Sequence, residues 1–389
     1  MTPSIKSIVC TLDRILGQPV PLHEPCFSET EFLYLKDCID TGWVSTAGKY
    51  VEKFEHMIAN FTKARHVVAT SSGTAALHAI FSALNIGCDD EVIVPSFTFV
   101  GTANAVTYTG ATPHFVDIER ISLGLDAKKL RKHLKSITTR ENAELINCKT
   151  GKRIAAIVCV HAFGHPSDLD ALSDLSNEFR IPLIEDAAEA LGSYYNHKHT
   201  GTFGRASILS FNGNKTITTG GGGAILTNDT TLADKLRYLT STAKEKHQWE
   251  FIHQEIGFNY RLPNINAALG CAQMEKLPDF LIQKRKLAKA YKEAFSSIDG
   301  VNIFSEPRWA KSNYWLNFLV LETSDVSFRD KSLAALNNAG YGARPAWRPM
   351  HLLPMFKTAY RSDLSVTEDM YARIINVPSS SQLSERLPK

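Results

Sequence analysis

Residues 66–77 read His-Val-Val-Ala-Thr-Ser-Ser-Gly-Thr-Ala-Ala-Leu, and the change of pattern inside this stretch decides the fold. A β-branched run predicts a strand over 66–70, small residues form a turn, and a helix is predicted over 74–84. Helical stretches such as 168–179 lie between many of the other predicted strands, which cover residues 91–95, 114–117, 154–160, 182–185, 207–211 and 224–227. This alternation predicts an α/β fold with a mostly parallel sheet covered on both faces.

Two local signals refine this fold. Ser28 and Glu31 match a capping box, and Gly42 suits the position after a last helical turn, so a helix is predicted between residues 28 and 42. The last two predicted strands are separated only by residues 212–223. Because antiparallel strands can be joined by a short loop, we expect at least one hairpin there.

The pattern changes from about Pro263 onward. Residues 264–296 are periodic and rich in Ala, Leu and Lys, which predicts a long helix leading from one domain to the next. We therefore expect an N-terminal arm and a large domain over residues 1–275, and a small C-terminal α+β domain over residues 276–389. The small domain would contain a strand over 315–321 and a helix over 328–338.

The composition excludes several classes of protein. Hydrophobic residues make up 44% of the 389 residues, so a disordered chain is not expected. Lys+Arg 43 against Asp+Glu 40 leaves a net charge of +3, which gives no reason to expect nucleic acid or a membrane as the main partner. No apolar run approaches the ~20 residues of a membrane span. Seven cysteines, none arranged as C-x-x-C, argue against a disulfide framework or zinc site and predict a reducing cytoplasm.

Three segments place chemically useful residues at turns of the predicted sheet. Residues 71–74, Ser-Ser-Gly-Thr, open a helix whose N–H groups can attract an anion, although a plain strand-to-helix turn has the same composition. Asp186 ends an apolar strand, where ligands of open α/β sheets bind, although a helix N-cap is the common alternative. Lys215 lies between a predicted strand and four glycines, a position that helix or sheet patterning does not explain. The alternative is an ordinary exposed lysine in a loop.

Together these segments supply what pyridoxal 5′-phosphate requires. A lysine forms an imine with the aldehyde of this cofactor. A carboxylate pairs with the pyridine nitrogen and makes the ring an electron sink. A helix N-terminus holds the phosphate. The presence of all three on one α/β sheet predicts this cofactor.

At this point the chain resembles the DegT/DnrJ/EryC1/StrS family of sugar aminotransferases, over about residues 18–357. The motifs are T-S-S-G-T-A-A-L-H (70–78), P-S-F-T-F-V-G-T-A-N (95–104), V-H-A-F-G (160–164), E-D-A-A-E-A-L-G (185–192), S-F-N-G-N-K (210–215), G-F-N-Y-R-L (257–262) and R-P-A-W-R-P-M-H (344–351). The resemblance implies fold type I of the pyridoxal-phosphate-dependent transferases. It also implies a homodimer whose active site is shared between subunits.

The resemblance implies roles for individual residues. Lys215 would form the imine and carry the proton, Asp186 would pair with the pyridine nitrogen, and Phe99 would stack on the ring. The matching phosphate-binding positions are Gly73, Thr74 and Ser210. Asn259 would reach the phosphate from the neighbouring subunit.

Some positions depart from the family pattern or are weakly supported. Glu189 stands where relatives often have Gln or His beside the cofactor's phenolic oxygen. The G-E-G-G that usually follows the lysine is four glycines here. The candidate substrate contacts are His161, Arg344, Trp347 and His351, although a lone histidine is more often structural.

The lysine loop and residues 185–192 look most similar to the legionaminic acid and bacillosamine subgroup. This implies transfer of an amino group from L-glutamate to a UDP-linked 4-keto-6-deoxy-N-acetylhexosamine, in bacterial surface-glycan or nonulosonic acid biosynthesis. Two alternatives stay open. One is a dTDP-3-keto-6-deoxysugar aminotransferase, and the other is a non-catalytic regulatory protein that binds the cofactor. A dehydratase of the same fold is disfavoured because those relatives replace the lysine with histidine.

Overall fold

The computed structural model describes residues 3–387, and helices and strands alternate along it. The helices are α1 (Ile5–Leu16), α2 (Glu29–Thr41), α3 (Lys49–Thr62), α4 (Gly73–Ala83), α5 (Val100–Tyr108), α6 (Ala127–Ile137), α7 (Leu169–Phe179), α8 (Thr230–Thr240), α9 (Asn264–Phe295), α10 (Val326–Asn338) and α11 (Ser365–Arg373). The strands are β1 (His66–Thr70), β2 (Asp90–Pro95), β3 (Thr112–Val116), β4 (Thr138–Glu141), β5 (Glu144–Asn147), β6 (Arg153–Val160), β7 (Leu183–Asp186), β8 (Tyr194–Tyr195), β9 (Lys198–His199), β10 (Ala206–Ser210), β11 (Gly223–Thr227), β12 (Val301–Ile303), β13 (Ala310–Lys311), β14 (Asn317–Leu321), β15 (Arg344–Pro345) and β16 (Ile374–Val377).

The central sheet has the strand order β1-β11-β10-β7-β6-β2-β3, with β5 and β4 attached beside β6. Each pair from β10 to β3 is parallel, whereas β11 runs antiparallel to both β1 and β10. The mostly parallel sheet is therefore confirmed, and so is the predicted hairpin, which joins β10 to β11. Because β6, β7 and β10 are parallel, their carboxyl ends meet at one edge of the sheet.

Helices cover both faces of this sheet. Successive residues of β10 show the arrangement: Ile208 packs into a core with α4, α5 and α8, and Leu209 packs into a second core with α3 and α9. Helices α6 and α7 extend the covering over β2 and β6. Burial on both faces explains why these strands appear in the sequence as continuous apolar runs rather than as alternating ones.

A smaller sheet of order β12-β14-β16-β15 lies beyond α9. The long helix predicted at this point is confirmed, and its last turns bring Leu287 and Tyr291 into a core with β14 and β16. Helix α1 adds Ile8 and Leu12 to the same core. The N-terminal segment thus packs with the C-terminal sheet. The domain border at residue 275 stays a prediction.

Local signals at α2 are also confirmed. The Ser28 and Glu31 side chains form the capping box, and Gly42 follows the helix in the left-handed conformation with φ of 73°. Glu31 additionally contacts Lys276 and Gln273 of α9, which ties the start of α2 to the long helix. Within residues 3–387, no helix has both the length and the apolar character needed to cross a membrane.

Candidate active site

A cavity of about 290 Å³ lies beyond the carboxyl ends of β6, β7 and β10. The last residue of each strand lines it, namely Val160, Asp186 and Ser210. The N-terminus of α4 and the loop that carries Lys215 complete the wall. The three segments singled out in the sequence therefore meet at one place, at the edge of the sheet where ligands of α/β proteins bind.

One end of the cavity suits an anion. Ser72 precedes α4, and its Oγ accepts a hydrogen bond from the Ala75 amide at 3.0 Å. The N–H groups of Gly73 and Thr74 belong to the first helical turn, which offers them no intrahelical acceptor. The packing here admits only glycine at position 223, because a Cβ there would lie 2.5 Å from the Ser72 carbonyl carbon. Ser72, Gly73 and Thr74 line the cavity, so the helix terminus is accessible to a phosphate group.

A buried carboxylate lies at the end of β7. Asp186 is 7% exposed. Its Oδ2 accepts a hydrogen bond from the Thr102 hydroxyl at 2.6 Å, and its Oδ1 accepts one from the Ala188 amide at 3.1 Å. Thr102 itself lies 2.9 Å from the Thr98 hydroxyl. These contacts hold the carboxylate in one orientation at the cavity wall.

The Lys215 side chain is the amine of the cavity, and it is 13% exposed. Its Nζ lies 3.1 Å from Glu189 Oε1 and 3.9 Å from the centroid of the Trp315 ring. The Trp315 indole N–H donates to the Asn214 carbonyl at 2.7 Å, so ring and lysine loop are connected directly. A cation over an indole face is favoured by about 0.5–2 kcal/mol, depending on desolvation.

Glu189 is buried beside this lysine. Its Oε2 accepts a hydrogen bond from the Phe163 amide at 2.8 Å, and Phe163 adopts the left-handed conformation with φ of 56°. Burial raises the pKa of the Glu189 carboxyl, against the opposing effect of Lys215 and the Phe163 amide; Asp186 adds to the rise. The carboxyl is therefore easier to protonate than an ordinary glutamate.

The aromatic residues predicted at the site both line the cavity. Phe99 is 56% exposed, a position open to a stacking partner. Trp347 stacks on Phe163, with ring centroids 4.5 Å apart and planes 10° apart. Their roles toward cofactor and substrate stay predictions.

Two histidines predicted as substrate contacts lie away from the cavity lining and have partners of their own. His161 is fully buried, and its Nε2 lies 3.1 Å from Glu185 Oε2. That carboxylate also accepts from the amides of Gly201, Phe203 and Gly204, and the His161 contact lowers its pKa against the effect of burial. His351 contacts the Ser96 hydroxyl at 2.7 Å and Glu368 at 3.0 Å. Both arrangements hold chain segments together.

Arg344 and Asn259 are both exposed and do not line this cavity. Arg344 lies in the edge strand β15 of the smaller sheet. Asn259 lies in a separate surface groove beside Arg237, Lys244 and Arg261. That position is compatible with a contact to a neighbouring subunit, which stays a prediction.

Sequence reasoning did not assign two residues that the structure places at the site. Thr102 holds Asp186, and its only sequence signal is its place in the motif at 95–104. Trp315 covers Lys215 and falls in a stretch predicted merely as a strand. Each acts through a contact between segments that are far apart along the chain.

The donor set fits pyridoxal phosphate. The helix terminus at Gly73 and Thr74 suits the phosphate, Asp186 suits the pyridine nitrogen, and Lys215 supplies the amine, all on one cavity wall. The described part of the chain contains no cluster of three or more His, Cys, Asp or Glu side chains that could hold a metal ion.

Comparisons with known proteins agree with this chemistry. A model of the DegT/DnrJ/EryC1/StrS aminotransferase family matches residues 25–387. The chain is 36% identical over 365 residues to a GDP-perosamine synthase of Escherichia coli O157:H7, with 94% of each chain covered. It is 36% identical over 374 residues to EpsN of Bacillus subtilis (strain 168), whose name describes it as a pyridoxal phosphate-dependent aminotransferase. That match covers 95% of this chain and 93% of EpsN. The structure is similar to that of a DegT DnrJ EryC1 StrS aminotransferase from Brucella abortus, with a TM-score of 0.82, 27% identity, and 92% and 94% of the two chains covered.

Proposed function

The chain belongs to the DegT/DnrJ/EryC1/StrS aminotransferase family, and from this premise we propose that it moves an amino group from L-glutamate to a nucleotide-linked 4-keto-6-deoxy sugar. It is a pyridoxal-phosphate-dependent sugar aminotransferase. The observation that supports the proposal most strongly is the shared cavity of Lys215, Asp186 and the N-terminus of α4.

Different residues of the cavity would bind different parts of the cofactor. Pyridoxal phosphate, when bound, supplies an electron sink for negative charge at the reacting carbon. Gly73, Thr74 and Ser210 would hold its phosphate by backbone N–H and hydroxyl donors. Asp186, oriented by Thr102, would hold a proton at the pyridine nitrogen. The charge-assisted contact is worth roughly 1.5–3 kcal/mol.

Lys215 would move protons at its Nζ atom. In the first half-reaction Nζ removes a proton from the carbon that bears the glutamate amino group. In the second half-reaction Nζ delivers a proton to the former ketone carbon of the sugar. Because the two substrates use one cavity in turn, we expect ping-pong kinetics. Trp315 and Trp347 line the same cavity and would exclude water from Nζ.

The nucleotide on the sugar is the finer part of the proposal. The resemblance of residues 185–192 and 210–215 favours a UDP-linked N-acetylhexosamine. The name of the relative from Escherichia coli O157:H7 instead favours a GDP-linked sugar, because it is called a GDP-perosamine synthase. We infer a GDP-linked 4-keto-6-deoxy sugar as the first candidate and the UDP-linked sugar as the second, since the similarity to that relative extends over 94% of the chain.

We also propose that the enzyme works as a homodimer with a shared active site. The exposed large apolar side chains that support this inference lie on α2 and in the two segments near Trp43 and Asn259: Phe32, Leu33, Ile39, Trp43, Val44, Trp249, Phe251 and Ile256. We expect these side chains to form part of an interaction surface, because large contiguous apolar patches on a protein surface mark such sites. A second copy would bury them and bring Asn259 toward the neighbouring cavity.

A reducing, cytoplasmic location is inferred from the cysteines. All seven are free in the structure, and three of them, Cys38, Cys159 and Cys271, are buried. Burial raises the pKa of the Cys159 and Cys271 thiols, which keeps them unreactive. Free buried thiols are typical of proteins that stay in reducing compartments.

The substrate is tested by loading the enzyme with pyridoxamine phosphate and adding a panel of nucleotide sugars. The panel contains GDP-linked and UDP-linked 4-keto-6-deoxy sugars and a dTDP-linked 3-keto sugar. We expect rapid loss of the pyridoxamine spectrum with a 4-keto sugar, and the highest kcat/KM with the GDP-linked one. A tenfold preference for the 3-keto sugar, ~1.4 kcal/mol in transition-state binding, would refute the assignment of the ketone position.

A further inference from the structure

The Glu189 carboxylate is held rigidly against the reactive amine. Oε1 lies 3.1 Å from Lys215 Nζ, and Oε2 accepts from the Phe163 amide at 2.8 Å. The backbone carbonyl of Glu189 accepts from the Asn313 amide group at 2.7 Å. Both ends of the residue are therefore fixed by other segments, and the Lys215 amine is the partner of the remaining carboxylate oxygen. A side chain so placed can act on the charge of the lysine.

We propose that Glu189 sets the charge of Lys215: the carboxylate shares one proton with Nζ, holds the amine as an ammonium ion at the cavity, and accepts that proton when a neutral amine is required. In this step the proton moves from Nζ to Oε1. An ammonium ion and a carboxylate become an amine and a carboxylic acid, and no other bond changes. The inference deepens the proposed function and rests on it, because Lys215 must be neutral to act as a base.

The surroundings of the pair lower the free energy required for this proton transfer. A buried ion pair loses the hydration of both charges, so removing water from the cavity favours the neutral pair. Burial already raises the pKa of Glu189, and the Asp186 carboxylate adds to that rise. The Trp315 ring at 3.9 Å acts in the opposite direction, because it stabilises the ammonium form. These effects oppose each other, so the proton can lie on either partner.

A glutamine at position 189 could not do the same. Its amide has the same shape and can accept a hydrogen bond from Nζ, but it carries no charge and takes no proton at neutral pH. The other titratable groups around the pair are Asp186, which acts on Glu189, and His23, which the charge of Lys215 reaches. Of these three acids and bases, Glu189 is the one in hydrogen-bond contact with Nζ.

The test measures Lys215 directly in the cofactor-free protein. Acetic anhydride reacts only with the neutral amine, so labelling of the Lys215 peptide, followed by mass spectrometry across a pH series, gives the midpoint at which Nζ loses its proton. An opposite charge within about 4 Å shifts such a midpoint by about one to three pH units. In Glu189→Gln we therefore expect the Lys215 midpoint to fall by one pH unit or more. At a fixed pH below both midpoints, Lys215 would then be labelled about tenfold more than in the wild type.

Glu306→Gln is the matched control. Burial raises the pKa of Glu306 too, but this carboxylate accepts from Ser312 and does not contact Lys215. In Glu306→Gln the midpoint at which Lys215 Nζ loses its proton should equal that of the wild type. If Glu189→Gln does not fold, Glu189→Asp replaces it, because the shorter side chain weakens the contact to Nζ and must also lower the midpoint.

An unchanged Lys215 midpoint in a folded Glu189 variant would overturn the proposal. The outcome is independent of amino transfer, since no cofactor or sugar is present. A second measurement adds pyridoxal phosphate to the cofactor-free protein: at pH 6 the rate at which it attaches to Lys215 should be higher in Glu189→Gln than in the wild type. A rate that is equal or lower would contradict the same claim.

Discussion

Replacing the buried Lys284 by methionine should remove a pH dependence from the stability of the fold. Lys284 lies on α9 and is 1% exposed. Its Nζ contacts the carbonyls of Trp315 at 3.1 Å and Ser379 at 2.6 Å, and His23 Nε2 at 3.1 Å. Burial lowers the pKa of the amine to about 7. This lysine connects the long helix to the segment that carries Trp315.

The expected magnitude follows from proton linkage. The unfolded chain keeps this lysine protonated at both pH 7 and pH 9, whereas the folded protein changes from about half protonated to neutral. Because the unfolded state binds more protons, stability rises with pH in this window, by about 1.4 kcal/mol per unit when the difference is one proton. The contribution of Lys284 between pH 7 and pH 9 is then about 2 kcal/mol.

Urea unfolding of wild type and Lys284→Met at both pH values isolates this contribution, at one fixed protein concentration. The variant leaves two carbonyls without a donor, but this cost is the same at each pH and cancels in the comparison. We expect the advantage of the wild type to be about 2 kcal/mol larger at pH 9. Lys286→Met, at an exposed position of the same helix, should show no such change. An equal advantage at both pH values would refute the reasoning.

Three further variants test the site itself. Lys215→Ala should fold but lose covalent attachment of pyridoxal phosphate, measured by borohydride reduction and mass spectrometry; retained turnover would exclude its proton-moving role. Asp186→Asn should lower kcat at least tenfold while keeping bound cofactor, because a neutral amide loses a contact of roughly 1.5–3 kcal/mol; unchanged kinetics would contradict the electron-sink assignment. Asn259→Ala should weaken cofactor retention, measured by dialysis and absorbance, and a fully active monomer would refute the shared site.

Much of the fold could be predicted because the seven strands in the main order of the central sheet are largely buried on both faces. Burial imposes continuous apolar runs, and the seven predicted runs correspond to β1, β2, β3, β6, β7, β10 and β11. The short strands β8, β9 and β13 carry no such signal, since two-residue pairings depend on chain segments that are distant in sequence. The packing of α1 against the C-terminal sheet was likewise not visible, because an amphipathic helix does not encode its partner.

The candidate site could likewise be predicted only in part from the sequence. That Lys215 and Asp186 lie at one cavity could be predicted because the sequence places a loop lysine, a strand-end carboxylate and a helix N-terminus at turns of one sheet; their catalytic roles stay predictions. Thr102 and Trp315 could not, since their contacts to Asp186 and Lys215 exist only in three dimensions. His161 and His351 are predicted as substrate contacts from their motifs; in the structure they contact Glu185 and Glu368 and do not line the cavity, and a role toward the substrate stays a prediction.

The central claim is that Lys215 and Asp186 serve transfer of an amino group to a nucleotide-linked keto sugar. The most direct measurement uses L-glutamate labelled with ¹⁵N, pyridoxal phosphate, and the GDP-linked and UDP-linked 4-keto-6-deoxy sugars, with products analysed by mass spectrometry. We predict one ¹⁵N atom per molecule of amino-sugar nucleotide, an equal amount of 2-oxoglutarate, and neither product with Lys215→Ala. Formation of 2-oxoglutarate without label in any sugar, or equal labelling by Lys215→Ala, would contradict the account.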